Sequence, residues 1–200
     1  MTNPTVSLIE RRVSANLFDR SHSLTDAEIG ALVRLATRAP TAYNLQNWRF
    51  IAVRTAEAKA RLRALAWNQA KVEDAAVTFI LCGARPDPAA LPERLRPSVA
   101  AGYMPPDMPA TWREAARAQF ADPRAARDEA VRSAVFGAAT LIYAAEALGL
   151  ASGPMTGFDA EAVARAFALG AEELPVLLLP VGRAAPGNWP QKPRRPLEEV

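Results

Sequence analysis

The sequence predicts an α+β fold, with helices packed on a small central sheet. Three observations point there. Short apolar runs with strand character stand at residues 48–54 ("WRFIAVR"), 76–82 ("AVTFILC") and 174–182 ("LPVLLLPVG"). Longer segments between them carry apolar residues at helical spacing. The two kinds do not alternate in strict βαβ order, which makes the reading α+β rather than α/β.

A first helix is expected near residues 4–13, with apolar Val6 and Ile9 and a basic end. "SLTDAEIGALVRLATRAP" is the clearest helix: Leu24, Ile29, Leu32, Val33 and either Leu35 or Ala36 form an apolar stripe. Thr25, followed three residues later by Glu28, is a capping box, and Pro40 ends the element. After the first strand, a helix runs from Glu57 to about Trp67. "NQAKVEDA" then forms a short polar helix leading into the second strand.

Residues 83–110 change character, holding seven of the chain's 17 prolines, Pro105 and Pro106 among them. Helices do not continue through such prolines, so a long excursion over the surface is expected. With Tyr103, Met104 and Met108 in it, this stretch reads as a lid beside a substrate pocket. Helices at about 111–119, 123–148 and 159–168 follow, the last capped by Asp159. The tail "WPQKPRRPLEEV" is too rich in proline for a helix or central strand and should run extended. The 200 residues fit one domain.

Half of the chain is apolar and 22% is charged, enough for a sizeable core. The single cysteine, Cys82, cannot form an internal disulfide and reads as a buried small hydrophobe. The opening "MTNPTVSLIERR" lacks the layout of a signal peptide, so a cytoplasmic protein is expected. Residues 133–153 are long enough to span a membrane, but Ala-rich and interrupted by Glu146; they read as a core helix at a subunit interface. Net charge is +3, with arginines scattered among carboxylates, a pattern of solvated surface rather than of nucleic-acid binding.

Several chemistries are disfavoured. With one histidine, His22, and one cysteine, no His/Cys metal cage can be assembled. A Ser–His–Asp triad would have to use His22, which lies in the polar turn "DRSHSLTD". No GxGxxG or P-loop lysine motif is present. If the protein is an enzyme, a cofactor carries the hard chemistry.

Four polar clusters remain: "RRVSANLFD" at 11–19, "APTAYNLQNW" at 39–48, "NQAKVEDA" at 68–75, and "GPMTGFD" at 153–159 paired with the tail "QKPRR". Asn68 and Lys71 are three apart and would share a helical face. Taken singly, each cluster has a plain reading as dipole complement, cap, turn or solvated tail. Together they suit a flavin. Its reduced ring needs a cation and amide donors at the pyrimidine edge, its N5 needs a nearby donor, and its phosphate needs Arg or Lys. Gly157 would let backbone approach the ring closely.

On these residues the chain resembles the flavin-dependent nitroreductase family over nearly its whole length. The resemblance rests on "RVSANLFD", "APTAYNLQNWRFIAV", "NQAKVEDA", "GPMTGFD" and "KPRRPLEEV", in the family's order and at compatible spacing. It implies a central, mostly antiparallel sheet surrounded by helices in an intertwined homodimer. One FMN per subunit would sit at the dimer interface, with NADH or NADPH as electron donor. It further implies that Arg12 and Ser14 hold the phosphate and ribityl end, with Arg11 one register step away as the other candidate. Pro40, Thr41, Ala42 and Asn44 would come from the partner subunit, Ala42 standing where the family often has Ser. Asn68 and Lys71 would reach the pyrimidine edge, and Pro154, Met155, Thr156 and Gly157 would face the ring, with the Thr156 N–H as N5 donor. Lys192 and Arg194 would complete the phosphate site.

Two departures from the family pattern are visible: Asn47 stands where proline commonly precedes the tryptophan, and Asn16 replaces a residue that is often basic. The implied reaction is hydride transfer from NAD(P)H to a small electrophilic acceptor, a nitroaromatic, a quinone or similar. Reduction of an aldehyde, an enone or a halogenated compound on the same fold is the alternative. A basic interaction protein without redox turnover is the remote one.

Overall fold

The computed structural model describes residues 3–200. Four strands form one sheet in the order β1-β2-β4-β3: β1 is Trp48–Val53, β2 Val77–Ala84, β3 Ala151–Ser152 and β4 Glu173–Gly182. Every pairing is antiparallel, with Trp48 opposite Gly83 at one end of the β1–β2 ladder and Val53 opposite Thr78 at the other. The β2–β4 register shifts between Leu81 and Cys82, where β4 carries an extra residue.

Both faces of β2 are covered, which explains its unbroken apolar run. Phe79 and Leu81 face one way, onto α2 (Asp26–Ala36) and the long α7 (Pro123–Ala147), meeting Leu32, Ala36, Ala138 and Leu141. Ile80 and Cys82 face the other way, onto α3 (Ala56–Leu65), α4 (Lys71–Asp74) and α8 (Ala160–Ala166), meeting Leu62, Val72 and Val163. This is the period-two alternation of a strand, used twice.

Local chemistry accounts for most helix ends. Thr25 Oγ1 accepts the Glu28 N–H at 3.3 Å, and Glu28 returns a bond to the Thr25 N–H at 2.7 Å, so the capping box is formed. Of the two alternatives for the apolar stripe of α2, Ala36 is buried and Leu35 is exposed. Asp159 caps α8 through the Ala162 N–H at 2.9 Å. The first helix, α1, covers Pro4–Arg11, ending two residues before the expected boundary because Arg12 is extended. No helix among the described residues is long and apolar enough to cross a membrane.

The proline-rich stretch corrects the sequence reading. Residues 83–110 are not a continuous surface loop: they hold α5 (Leu91–Ala100) and the start of α6 (Met108–Gln119). Pro92 and Pro109 lie in the first turns of their helices, where a missing N–H leaves no bond unmade. Pro97 sits inside α5, a position that normally destabilises a helix. Burial outweighs it: Leu91 and Leu95 pack with Leu45, Ala116 and Phe120 in a third apolar cluster. Propensity predicted the break, and tertiary packing overrode it.

Candidate functional site

The stretch after α1 forms one wall. Arg12 donates to Ser14 Oγ at 3.4 Å, and Ser14 bridges Ser152 of β3. The Ala15 N–H donates to the Ser152 carbonyl at 2.9 Å. Gly153 permits this approach, because a Cβ there would lie 2.3 Å from the Ala15 carbonyl oxygen. Arg11 points elsewhere, its Nε donating to Glu146 of α7 at 3.0 Å. Arg12, Ser14, Ala139, Ile142, Tyr143 and Pro154 line a cleft of about 220 Å³.

Lys71 opens α4 and donates to Asn16 Oδ1 at 3.2 Å. Burial pushes its ammonium below the ordinary lysine value, and the nearby charge of Lys192 pushes in the same direction. The tail crosses the same ground. Asn188 Oδ1 accepts the N–H groups of Asn16 at 2.7 Å and Leu17 at 3.0 Å, and its Nδ2 donates to the Leu17 carbonyl at 2.8 Å. Gln191 donates to the Arg12 carbonyl at 3.1 Å and accepts from Arg194 at 3.1 Å. Lys192 lies over the Trp189 ring, 5.6 Å from its centroid.

Arg12, Lys71, Lys192 and Arg194 are thereby drawn together from three segments. Among the described residues, none of the four has a carboxylate within ion-pair distance. Arg11, Arg20, Arg49, Arg54 and Arg63 each do have one. Cations gathered without counter-charges, one of them made less basic by burial and a like neighbour, are suited to an anion.

Residues 154–157 form the next wall. The Met155 N–H and carbonyl both pair with Leu178, at 2.9 Å each, and its buried side chain joins the core under the sheet. Thr156 is exposed, and no hydrogen bond within the chain engages its N–H among the described residues. Gly157 stands in crowded surroundings. The Trp67 indole lies 2.7 Å from where a Cβ would stand, and Gln69 Nε2 donates to the Gly157 carbonyl at 3.1 Å.

The helical face predicted for Asn68 and Lys71 does not form. Asn68 precedes α4 in the left-handed region, at φ 56°, and the cap position of that helix is Ala70. The two residues still stand on one short segment, with Asn68 exposed and its carbonyl accepting from Arg63 at 3.3 Å.

Pro40, Thr41, Ala42 and Asn44 are placed with a different set of neighbours. Tyr43, Asn44 and Gln46 all have positive φ, at 51°, 56° and 47°. Thr41 Oγ1 holds this strained turn by accepting the Gln46 N–H at 3.0 Å. The Tyr43 hydroxyl donates to Gln119 of α6 at 2.8 Å, and its ring meets Trp112 edge-on at 5.7 Å. Ala42, Tyr43 and Met104 pack on the cluster of α5 and α6. The Asn44 side chain is exposed and unbonded within the chain among the described residues. Asn47 closes the mouth of the strand pair, its Nδ2 donating to the Ala84 carbonyl at 2.9 Å. Of the pocket candidates, Tyr103 is 87% exposed, Met104 is packed as described, and Met108 begins α6 half-buried.

Trp67, Gln69, Asn188 and Gln191 escaped the sequence reading. An aromatic directly before a polar cluster was a usable signal for Trp67; Asn188 and Gln191 act across more than 170 residues and gave none.

A family model described as "Nitroreductase family" matches residues 9–183. The provisionally named NAD(P)H nitroreductase YodC of Bacillus subtilis is 32% identical over 203 residues, covering 100% of this chain and 98% of that protein. A Thermus thermophilus protein named NADH dehydrogenase is 33% identical, covering 90% of this chain and 87% of its own. A provisionally named nitroreductase from Exiguobacterium sibiricum, solved in complex with FMN, superposes with a TM-score of 0.89. It is 25% identical, covering 100% of this chain and 96% of that one. Sequence and fold agree over almost the entire length, and the chain belongs to the nitroreductase family.

Proposed function

We propose that this protein is an FMN-dependent NAD(P)H oxidoreductase that works as a homodimer, reducing a small electrophilic acceptor in two half-reactions at one site. FMN, when bound, supplies the hydride chemistry, accepting from NADH or NADPH and passing to the acceptor. The observation that carries this reading is the gathering of Arg12, Lys71, Lys192 and Arg194 without carboxylate partners among the described residues. Those residues fit the group. Arg12, Ser14, Lys192 and Arg194 would hold the phosphate, and Lys71 with Asn16 and Asn68 the pyrimidine edge. Pro154, Thr156 and Gly157 would face the ring.

Each residue then has a definable task. Lys71 would offset negative charge on the reduced ring, in a setting already partly shielded from water. Thr156 offers a fixed backbone donor. The site excludes a need for any side-chain nucleophile, since positioning and charge stabilisation suffice.

Homodimerisation accounts for the separate placement of Pro40–Asn44. Those residues pack with α5 and α6 and leave the Asn44 amide outward, available to the flavin of a second subunit. The outer side of α7 carries exposed Val135, Phe136 and Tyr143, an apolar stripe suited to a subunit contact. Because Met104 packs beside Tyr43, the α5–α6 region would travel with the donated segment and border the acceptor pocket.

The test is an absorbance spectrum of freshly purified protein, recorded anaerobically before and after adding NADH or NADPH. A yellow protein bleached by nicotinamide supports the reading; a colourless protein that takes up no FMN overturns it. Pre-reduced protein offered nitroaromatics, quinones, enones and aldehydes then identifies the acceptor class.

A further inference from the structure

We propose that Gln69 is a positioning residue that, with the Trp67 indole, fixes the Thr156 N–H in the orientation the flavin requires. The inference rests on the FMN reading above and concerns how this chain builds its ring-facing donor.

A trans peptide directs its N–H opposite to its C=O. The Met155 carbonyl accepts from the Leu178 N–H at 2.9 Å, so it points into the sheet toward β4. The N–H of that same peptide unit, belonging to Thr156, therefore points away from the sheet. On the upstream side this orientation is secured by the paired Met155–Leu178 bonds.

Downstream, the chain leaves the sheet, and its next backbone bond to another segment is from the Asp159 N–H to the Leu65 carbonyl at 2.9 Å, with Gly157 between the two anchors. Gln69 supplies the hold, donating from Nε2 to the Gly157 carbonyl at 3.1 Å. Trp67 supplies a stop, its ring so close to Gly157 that a Cβ there would meet Cζ3 at 2.7 Å. Trp67 is 72% exposed, so burial within its own chain does not explain the ring's position. Both Trp67 and Asn68 adopt positive φ, at 51° and 56°, a conformation that non-glycine residues rarely take. The strained turn serves to present the indole and the Gln69 amide to one peptide.

The test uses Gln69→Met, which keeps the side-chain length but removes the donor, and Gln69→Glu, whose carboxylate repels the Gly157 carbonyl. Backbone amide NMR of the FMN-free protein is read first. Both variants are expected to shift the Thr156 and Gly157 amide resonances, while the β2 and β4 resonances stay in place. In the FMN-loaded proteins, reduction by NADH or NADPH is expected to slow by about tenfold, the loss typical of a misplaced group. The FMN dissociation constant should change by less than about threefold, a smaller effect than removal of a direct contact. Unchanged Thr156 and Gly157 amides in both variants, or unchanged reduction rates in a wild-type-like FMN background, overturn the proposal and leave the FMN reading standing. A wild-type protein that binds no FMN overturns both.

Discussion

The Lys71 ammonium donates to the Asn16 side-chain carbonyl at 3.2 Å, joining the start of α4 to the segment that follows α1. Asn16 is neutral, so it orients the ammonium without cancelling its charge. A carboxylate at that position would satisfy Lys71 internally and compete with an anionic ligand. Lys71→Met is therefore expected to slow flavin reduction by about a hundredfold, the scale of a lost charge-stabilising donor. FMN affinity should fall far less, because Arg12, Lys192 and Arg194 remain. Stopped-flow reduction under anaerobic conditions, beside an FMN titration, separates the two quantities. Reduction kinetics equal to wild type would remove Lys71 from its assigned task.

Proton linkage at the same lysine gives a second expectation. In the cofactor-free protein, burial and Lys192 lower the Lys71 pKa, so the unfolded chain holds that proton more tightly. Free-protein stability should thus rise as pH climbs from the lowered folded value toward the ordinary lysine value. Anion binding acts in the opposite sense. Bound FMN raises the Lys71 pKa, so affinity is fullest below the free-protein value and falls as pH rises through it. Binding at alkaline pH should take up protons, measurable as buffer-dependent heat in calorimetry. Affinity flat across the alkaline range would mean that Lys71 does not sense the anion.

Cys82 behaves as the sequence indicated, fully buried in the core beneath the sheet. Burial pushes its thiol up to about 12, Glu173 adding to the effect. At neutral pH almost no thiolate exists to react. Native protein should resist thiol reagents, and one equivalent should react after denaturation. Rapid native labelling would show that the Cys82 side of the sheet opens readily.

Gly153 offers a third probe, because its missing side chain lets two strands touch. A Cβ would stand 2.3 Å from the Ala15 carbonyl, which is backbone and cannot swing aside. Gly153→Ala should lower stability by about 1–3 kcal/mol, the usual cost of overpacking. It should also displace Arg12 and Ser14 from Pro154, weakening FMN binding. Denaturant melts and FMN titration of the same preparation test both effects. Unchanged affinity in a destabilised protein would disconnect the 12–16 segment from the cofactor.

What the sequence disclosed was what lies close along the chain. The Thr25–Glu28 box, the apolar run of β2 and the Asp159 cap each involve neighbours within a few residues, and each is formed. The polar clusters were also visible, as residue types without an apolar use. Hidden features depend on distant packing. α5 forms despite Pro97 because Leu91 and Leu95 find a core built from residues 45, 116 and 120. The filling of Gly157 by Trp67 arises between positions 90 apart, and the Asn188 clamp spans longer distances still. β3 is only two residues long, too short to carry a periodic signal.

The placement of Asn44 leads to the last prediction. Its segment is held rigidly by Thr41 and Tyr43, yet its own amide has no partner within the chain among the described residues. A strained turn that presents an unused amide suits a contact outside the subunit. If that is the flavin of a second copy, breaking the dimer must remove cofactor contacts without touching Lys71 or Arg12. Phe136 lies on the outer side of α7, 51% exposed, where a charge is harmless to a monomer. Phe136→Glu buried at a two-fold contact would place like charges face to face and leave them desolvated. The variant should sediment as a folded monomer with an unaltered circular dichroism spectrum, and its FMN affinity should drop by about tenfold or more, the equivalent of losing one or two polar contacts. A folded monomer that keeps wild-type affinity would assign the whole site to a single chain and leave the Asn44 turn without its purpose.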